Sequence, residues 1–147
     1  MDMTPKEYQD FVAKKAKKSP ILKDTLLAFF IGGAICALGQ GLSELWTAAG
    51  LDKEAAGTAT SASLVFLSVL LTGLNLYNKI GRFGGAGTLV PITGFANAVS
   101  APAIDFKAEG IVTGMAAKMF VVAGPVIVFG TVASVVYGVV LWVLEMI

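Results

Sequence analysis

Long apolar runs separated by short polar segments dominate this chain. The runs at 26–46 and 59–77 each match the about 20 residues that a helix needs to cross a hydrocarbon core of roughly 30 Å. A third run, 110–147, exceeds one crossing, so we divide it into a short helix at about 106–119 and a final span at 120–144. The pattern predicts an all-α integral membrane protein with three to four transmembrane helices.

The segment at 81–103, GRFGGAGTLVPITGFANAVSAPA, is apolar but rich in residues that interrupt helices. These residues are Gly81, Gly84, Gly85, Gly87, Pro91, Gly94 and Pro102. Irregular backbone at membrane depth is stable only where protein covers it or where it lines a water-filled cavity. The segment is therefore predicted to be a broken helix, either a half-helix or a re-entrant element, and the functional core of the protein.

The broken segment at 88–103 either crosses the membrane or turns back. Its apolar stretch, 89–103, has about 15 residues and is short for a full span. Asp105 and Glu109 follow it and weakly favour a crossing, which would place the C-terminus inside. A re-entrant segment would leave three true spans and place the C-terminus outside.

Composition and charge agree with a membrane protein. Hydrophobic residues make up 56% of the chain, charged residues only 14%, and the mean hydropathy is +0.78, far from the soluble norm. We therefore divide the chain into a polar, lysine-rich arm at 1–24 and a single membrane domain at 25–147. The lysines of the arm, together with Lys79 and Arg82 after the second span, predict that the N-terminus is inside.

The arm has two interpretations. Tyr8, Phe11 and Val12 fall at helical spacing beside lysines, which permits a short amphipathic helix on anionic lipid headgroups. A solvated basic arm is the alternative. Tyr77 and Lys79 are predicted to close the second span.

Several kinds of chemistry are disfavoured. The chain has no histidine, which removes the usual general base and the commonest metal ligand. Cys36 is the lone cysteine, and the net charge of +1 gives no nucleic-acid signal. The glycine cluster lacks the Gly-Lys-Ser/Thr of a nucleotide-binding loop. We predict no catalytic residue, no metal site and no cofactor, and therefore no enzyme.

A few polar residues in or near the apolar runs are the candidates for contact with a solute, because polar groups at membrane depth are costly unless functional. They are Arg82, Thr93, Asn97, Gln40, Asn75, Asn78, Thr88 and Lys118. Thr93 and Asn97 are four residues apart and share one helical face. Gln40 is interpreted as a contact between helices or as pore lining, and the same alternatives hold for Asn97.

Arg82 lies beside the glycine cluster, where backbone N–H groups lead into a half-helix whose positive end suits an anion. A tight turn at the membrane surface is the alternative role of these glycines.

Three stretches, FFIGGAICALGQGL, LLTGLNLYNKIGRFGGAGTLVPITGFANAVSAPA and KAEGIVTGMAAKMFVVAGPVIVFG, resemble the stage V sporulation protein AC family, with the related AE-b proteins lacking the lysine-rich arm. The resemblance implies a subunit of the spore inner-membrane assembly that moves dipicolinic acid, a pyridine dicarboxylate usually chelated with Ca²⁺, into the forespore and out during germination. It implies an AE-b-like membrane subunit and a soluble AD-like subunit as partners, besides lipid and a possible second copy of the chain. A scaffold that conducts nothing itself is the alternative.

Overall fold

The computed structural model describes residues 4–15 and 19–146, and this part of the chain is helical apart from short turns and has no strand. In chain order the elements are α1 (Pro5–Lys15), α2 (Ile21–Ala48), α3 (Lys53–Gly73), α4 (Tyr77–Gly84), α5 (Ala86–Leu89), α6 (Ile92–Asp105), a 3₁₀ turn (Lys107–Glu109), a π-helical stretch (Ile111–Ala116) and α7 (Ala117–Glu145). The predicted all-α fold is confirmed. Three helices, Ile21–Ala48, Lys53–Gly73 and Ile111–Glu145, are long and apolar enough to cross a membrane.

Helix α1 begins with a capping box. The carboxylate of Glu7 accepts hydrogen bonds from the backbone N–H and the hydroxyl of Thr4, both at 2.8 Å. The bond from the Thr4 amide and then that from its hydroxyl lower the pKa of Glu7. All described residues of α1 are exposed. Its predicted binding to lipid headgroups stays a prediction, and Lys17 and Lys18 lie outside the described residues.

Helices α2 and α3 form an antiparallel pair of spans. Asp52 caps α3 by accepting a hydrogen bond from the backbone N–H of Ala55 at 3.2 Å. The indole N–H of Trp46 donates to the hydroxyl of Ser63 at 3.2 Å and joins the two helices beside their connection. The first predicted span, 26–46, lies within α2.

The second predicted span, 59–77, ends too late. Helix α3 stops at Gly73, and Asn75 then adopts a positive φ of 57° that turns the chain. Tyr77 begins α4 instead of closing α3, and its side chain is buried with 5% exposure.

The broken character of 81–103 is confirmed by two interruptions. Gly85 separates α4 from α5 with a φ of +46°, which is accessible mainly to glycine. Pro91, with extended backbone, separates α5 from α6. Helix α5 packs so closely on α2 that a side chain at Gly87 would collide with the backbone of Ala28.

Helix α6 runs in the same direction as α3. The hydroxyl of Ser68 donates to the carbonyl of Thr93, and one turn further along both helices Thr72 bonds Asn97. Since α3 ends where α4 begins, α6 carries the chain back toward the end of the bundle from which α4 entered. This direction favours the re-entrant alternative over the crossing that Asp105 and Glu109 weakly favoured.

The C-terminal third differs from its predicted division. Gly110, with a φ of 99°, makes the turn, and the helical run from Ile111 then continues without a break into α7. A separate short helix at 106–119 is therefore wrong, and the last predicted span, 120–144, is the distal part of this longer helix. Gly114 fits against the carbonyl of Phe106, which anchors the start of the run to the end of α6.

Candidate functional site

A network of hydroxyl and amide groups joins α3, α4 and the broken segment. The hydroxyl of Tyr77 donates to the carbonyl oxygen of Thr88 at 2.9 Å and lies 2.8 Å from the hydroxyl of Thr93. Tyr77, Thr88 and Thr93 are all buried. The irregular backbone between α5 and α6 is thus held by a side chain from α4.

The α3 side of the network repeats this arrangement. The hydroxyl of Ser68 donates to the carbonyl of Thr93, and that of Thr72 lies 2.8 Å from Oδ1 of Asn97. In the described part of the chain, every buried side-chain nitrogen or oxygen has a hydrogen-bond partner. Because a buried polar group without a partner costs about 1–3 kcal/mol, the satisfied network stabilises the contact between α3 and α6.

A cavity of about 290 Å³ opens beside this network; most of its exposed lining is apolar, and we call it the polar cavity because five polar side chains border it. It is lined by Tyr77, Asn78, Gly81, Arg82, Thr88, Leu89 and Asn97. Arg82 also borders a surface crevice of about 420 Å³ that contains Asp24 of α2. The guanidinium-bearing residue therefore borders both the crevice and the polar cavity.

A larger cleft of about 500 Å³ lies between α2 and α3 and has an almost entirely apolar lining. Ser68, Tyr77 and Thr93 are its few polar residues. Tyr77 borders both this cleft and the polar cavity. The side chain that borders both spaces is held in place by its bonds to Thr88 and Thr93.

The structure brings most of the predicted candidates together. Asn78, Arg82, Thr88 and Asn97 line the polar cavity. Thr93 shares one helical face with Asn97, as their spacing predicted, and both bond residues of α3. The contact between helices that was one interpretation of Asn97 is therefore present.

Three other candidates lie away from the cavity. Gln40 donates to Glu44 of its own helix at 3.0 Å and not to another helix, and pore lining by Gln40 stays a prediction. Asn75 is an exposed turn residue. The ammonium group of Lys118 lies 4.0 Å from the centre of the Phe106 ring, a cation–π contact.

Sequence reasoning missed Ser68, Thr72 and the burial of Tyr77. One signal was available, since Ser68 and Thr72 are four residues apart in an apolar span, and hydroxyls at that spacing form a polar stripe that can bond a neighbouring helix. Nothing in the spacing of Tyr77 indicated that its ring would turn inward.

The family described as SpoVAC/SpoVAEB sporulation membrane protein matches residues 24–140. The chain belongs to this family. Stage V sporulation protein AC of Bacillus subtilis (strain 168) is 42% identical over 139 residues, which cover 94% of this chain and 93% of the relative. No solved structure matches the chain. The part that matches the SpoVAC/SpoVAEB family contains the whole hydroxyl network and both cavities but not α1.

Proposed function

We propose that this SpoVAC/SpoVAEB family member is a subunit of the channel that moves dipicolinic acid, as the acid or its Ca²⁺ chelate, across the inner membrane of the forespore. The same path carries the solute in during sporulation and out during germination, without covalent chemistry, metal or cofactor. The observation that carries the proposal is the broken segment held by Tyr77, with the polar cavity beside it. Such backbone survives in a membrane where protein covers it or where it lines a cavity.

The proposed membrane placement follows from the direction of α6 and from charge. If 77–105 is re-entrant, every lysine and arginine except Lys53 lies in the arm or toward the end of the bundle where α2 begins. A strong excess of basic residues marks the inner face. The N-terminus is therefore inside, the connection between α2 and α3 is outside, and α7 takes the C-terminus to the outside.

The arrangement corresponds to a closed state. A dianion that entered the polar cavity would meet the Tyr77 side chain and, beyond it, the apolar cleft between α2 and α3. Charge in an apolar space without partners is expensive. Conduction therefore requires the contact of Tyr77 with Thr88 and Thr93 to part, or further polar groups from neighbouring subunits to complete the path.

Neighbouring subunits have room to bind. Helix α7 is exposed from Pro125 onward, including Phe129 at 74% and Tyr137 at 64%. We propose that lipid, an AE-b-like subunit or another copy of the chain covers this surface, and that a soluble AD-like subunit completes the assembly. The exposed α7 is also the observation that favours the alternative function, a scaffold that holds conducting subunits and conducts nothing.

Flux measurements distinguish the two functions. We expect liposomes that contain the purified chain, alone or with its AE-b-like partner, to release trapped dipicolinate faster than protein-free liposomes when the membrane is osmotically swollen. Retention equal to that of protein-free liposomes, with the inserted protein intact, would favour the scaffold.

A further inference from the structure

The polar cavity beside α4 presents hydrogen-bond donors. The guanidinium of Arg82 has five N–H donors in a planar fork, and Asn78 and Asn97 each have an amide group. No acidic side chain is among the described residues that line this cavity. Arg82 is the one charged residue among them, so an anion in this cavity would meet an opposite charge.

Asn97 is oriented by the network behind it. Its Oδ1 lies 2.8 Å from the hydroxyl of Thr72, which shares its single proton between this oxygen and the carbonyl of Ser68 at 2.7 Å, and its side chain borders the cavity. The residue is half-buried, and its helix is fixed by the bond from Ser68 to Thr93. An amide donor held in this way needs little reorganisation to meet a ligand oxygen.

We propose that this cavity binds one carboxylate of a small ring-shaped dianion, with Arg82 opposing its charge and Asn78 and Asn97 donating to its oxygens. The volume of about 290 Å³ is at the lower end of ligand pockets, which suits a single ring. Tyr77 and Leu89 supply the apolar wall against which that ring packs. The choice of pyridine-2,6-dicarboxylate as the ligand rests on the proposed function.

The test is equilibrium binding of pyridine-2,6-dicarboxylate to the purified full chain in neutral detergent, measured by calorimetry. We expect saturable binding by the wild type, at least tenfold weaker binding by Arg82→Gln and clearly weaker binding by Asn78→Ala. Lys79→Gln is the matched control, because it removes the same charge from the same helix but does not line the cavity. The uncharged diamide of the same ring should not bind.

Four results would overturn the site. The first is no saturable binding by the wild type in the millimolar range, and the second is an equal loss of affinity in Arg82→Gln and Lys79→Gln. The third is binding of the diamide as tight as that of the dicarboxylate. The fourth is equally tight binding of inorganic phosphate, which would indicate general attraction of anions. The proposed function and the site can be contradicted independently. If liposomes stay tight while the purified chain binds the ligand specifically, conduction is contradicted and the site is not. If liposomes conduct while Arg82→Gln binds the ligand normally, the site is contradicted and conduction is not.

Discussion

Arg82→Gln is expected to slow the movement of dipicolinate through the assembled complex by tenfold or more. Opposite charges 4 Å apart attract by about 1 kcal/mol in bulk water and about 4 kcal/mol at an effective dielectric constant near 20. Arg82 is exposed at the mouth of the cavity, so its effect lies between these limits. Since about 1.4 kcal/mol corresponds to a factor of ten in occupancy, the loss should be visible in the initial rate of uptake into liposomes or forespores.

Two variants control this experiment. Arg82→Lys keeps the charge and should retain much of the flux, unless a bidentate contact with the carboxylate is required. Lys79→Gln should leave the rate near the wild-type value because Lys79 does not line the cavity. If Arg82→Gln inserts and assembles normally and moves dipicolinate at the wild-type rate, Arg82 is only a residue that orients the chain in the membrane.

Gly87→Ala is expected to prevent the broken segment from docking on α2. A Cβ at this position would lie well within contact distance of the carbonyl oxygen of Ala28, and it would also meet that residue's Cα at 3.0 Å. These are backbone atoms that cannot rotate away, so the cost should reach or exceed the upper end of the about 1–3 kcal/mol typical of overpacking. The thermal stability of the purified protein in detergent measures the effect.

Gly33→Ala is the matched control for Gly87→Ala. It makes the same change in α2, at a position where a Cβ meets nothing within 4 Å, and it should keep or slightly raise the stability because alanine favours helix. Equal stability of the two variants would show that α5 does not pack against α2 at Ala28.

The membrane character and the broken segment could be predicted because both depend on local features. Apolar runs of spanning length identify α2, α3 and most of α7. Gly85 and Pro91 interrupt the helix through their own backbone preferences, which are independent of the rest of the fold. Asn78, Arg82 and Asn97 were found because polar residues stand out in an apolar sequence.

The direction of α6 could not be predicted from local features. It depends on which hydroxyls of α3 face Thr93 and Asn97, a pairing across 25 residues that no periodicity encodes. The few acidic residues after the segment favoured a crossing, but Asp and Glu contribute little to topology and are a weak guide to it. The inward position of Tyr77 has the same origin, since an aromatic at the end of an apolar run is equally typical of a membrane surface.

The most direct test of the account is the side of the membrane on which the broken segment ends. In a Cys36→Ala background, single cysteines replace Ala13, Ala49 and Ala108, three exposed alanines in α1, in the connection between α2 and α3, and after α6. An impermeant thiol reagent is then applied to sealed vesicles of known orientation. A re-entrant segment predicts that Ala108→Cys reacts from the same side as Ala13→Cys and opposite to Ala49→Cys. Labelling of Ala108→Cys from the side of Ala49→Cys would show that the segment crosses the membrane and would contradict the account.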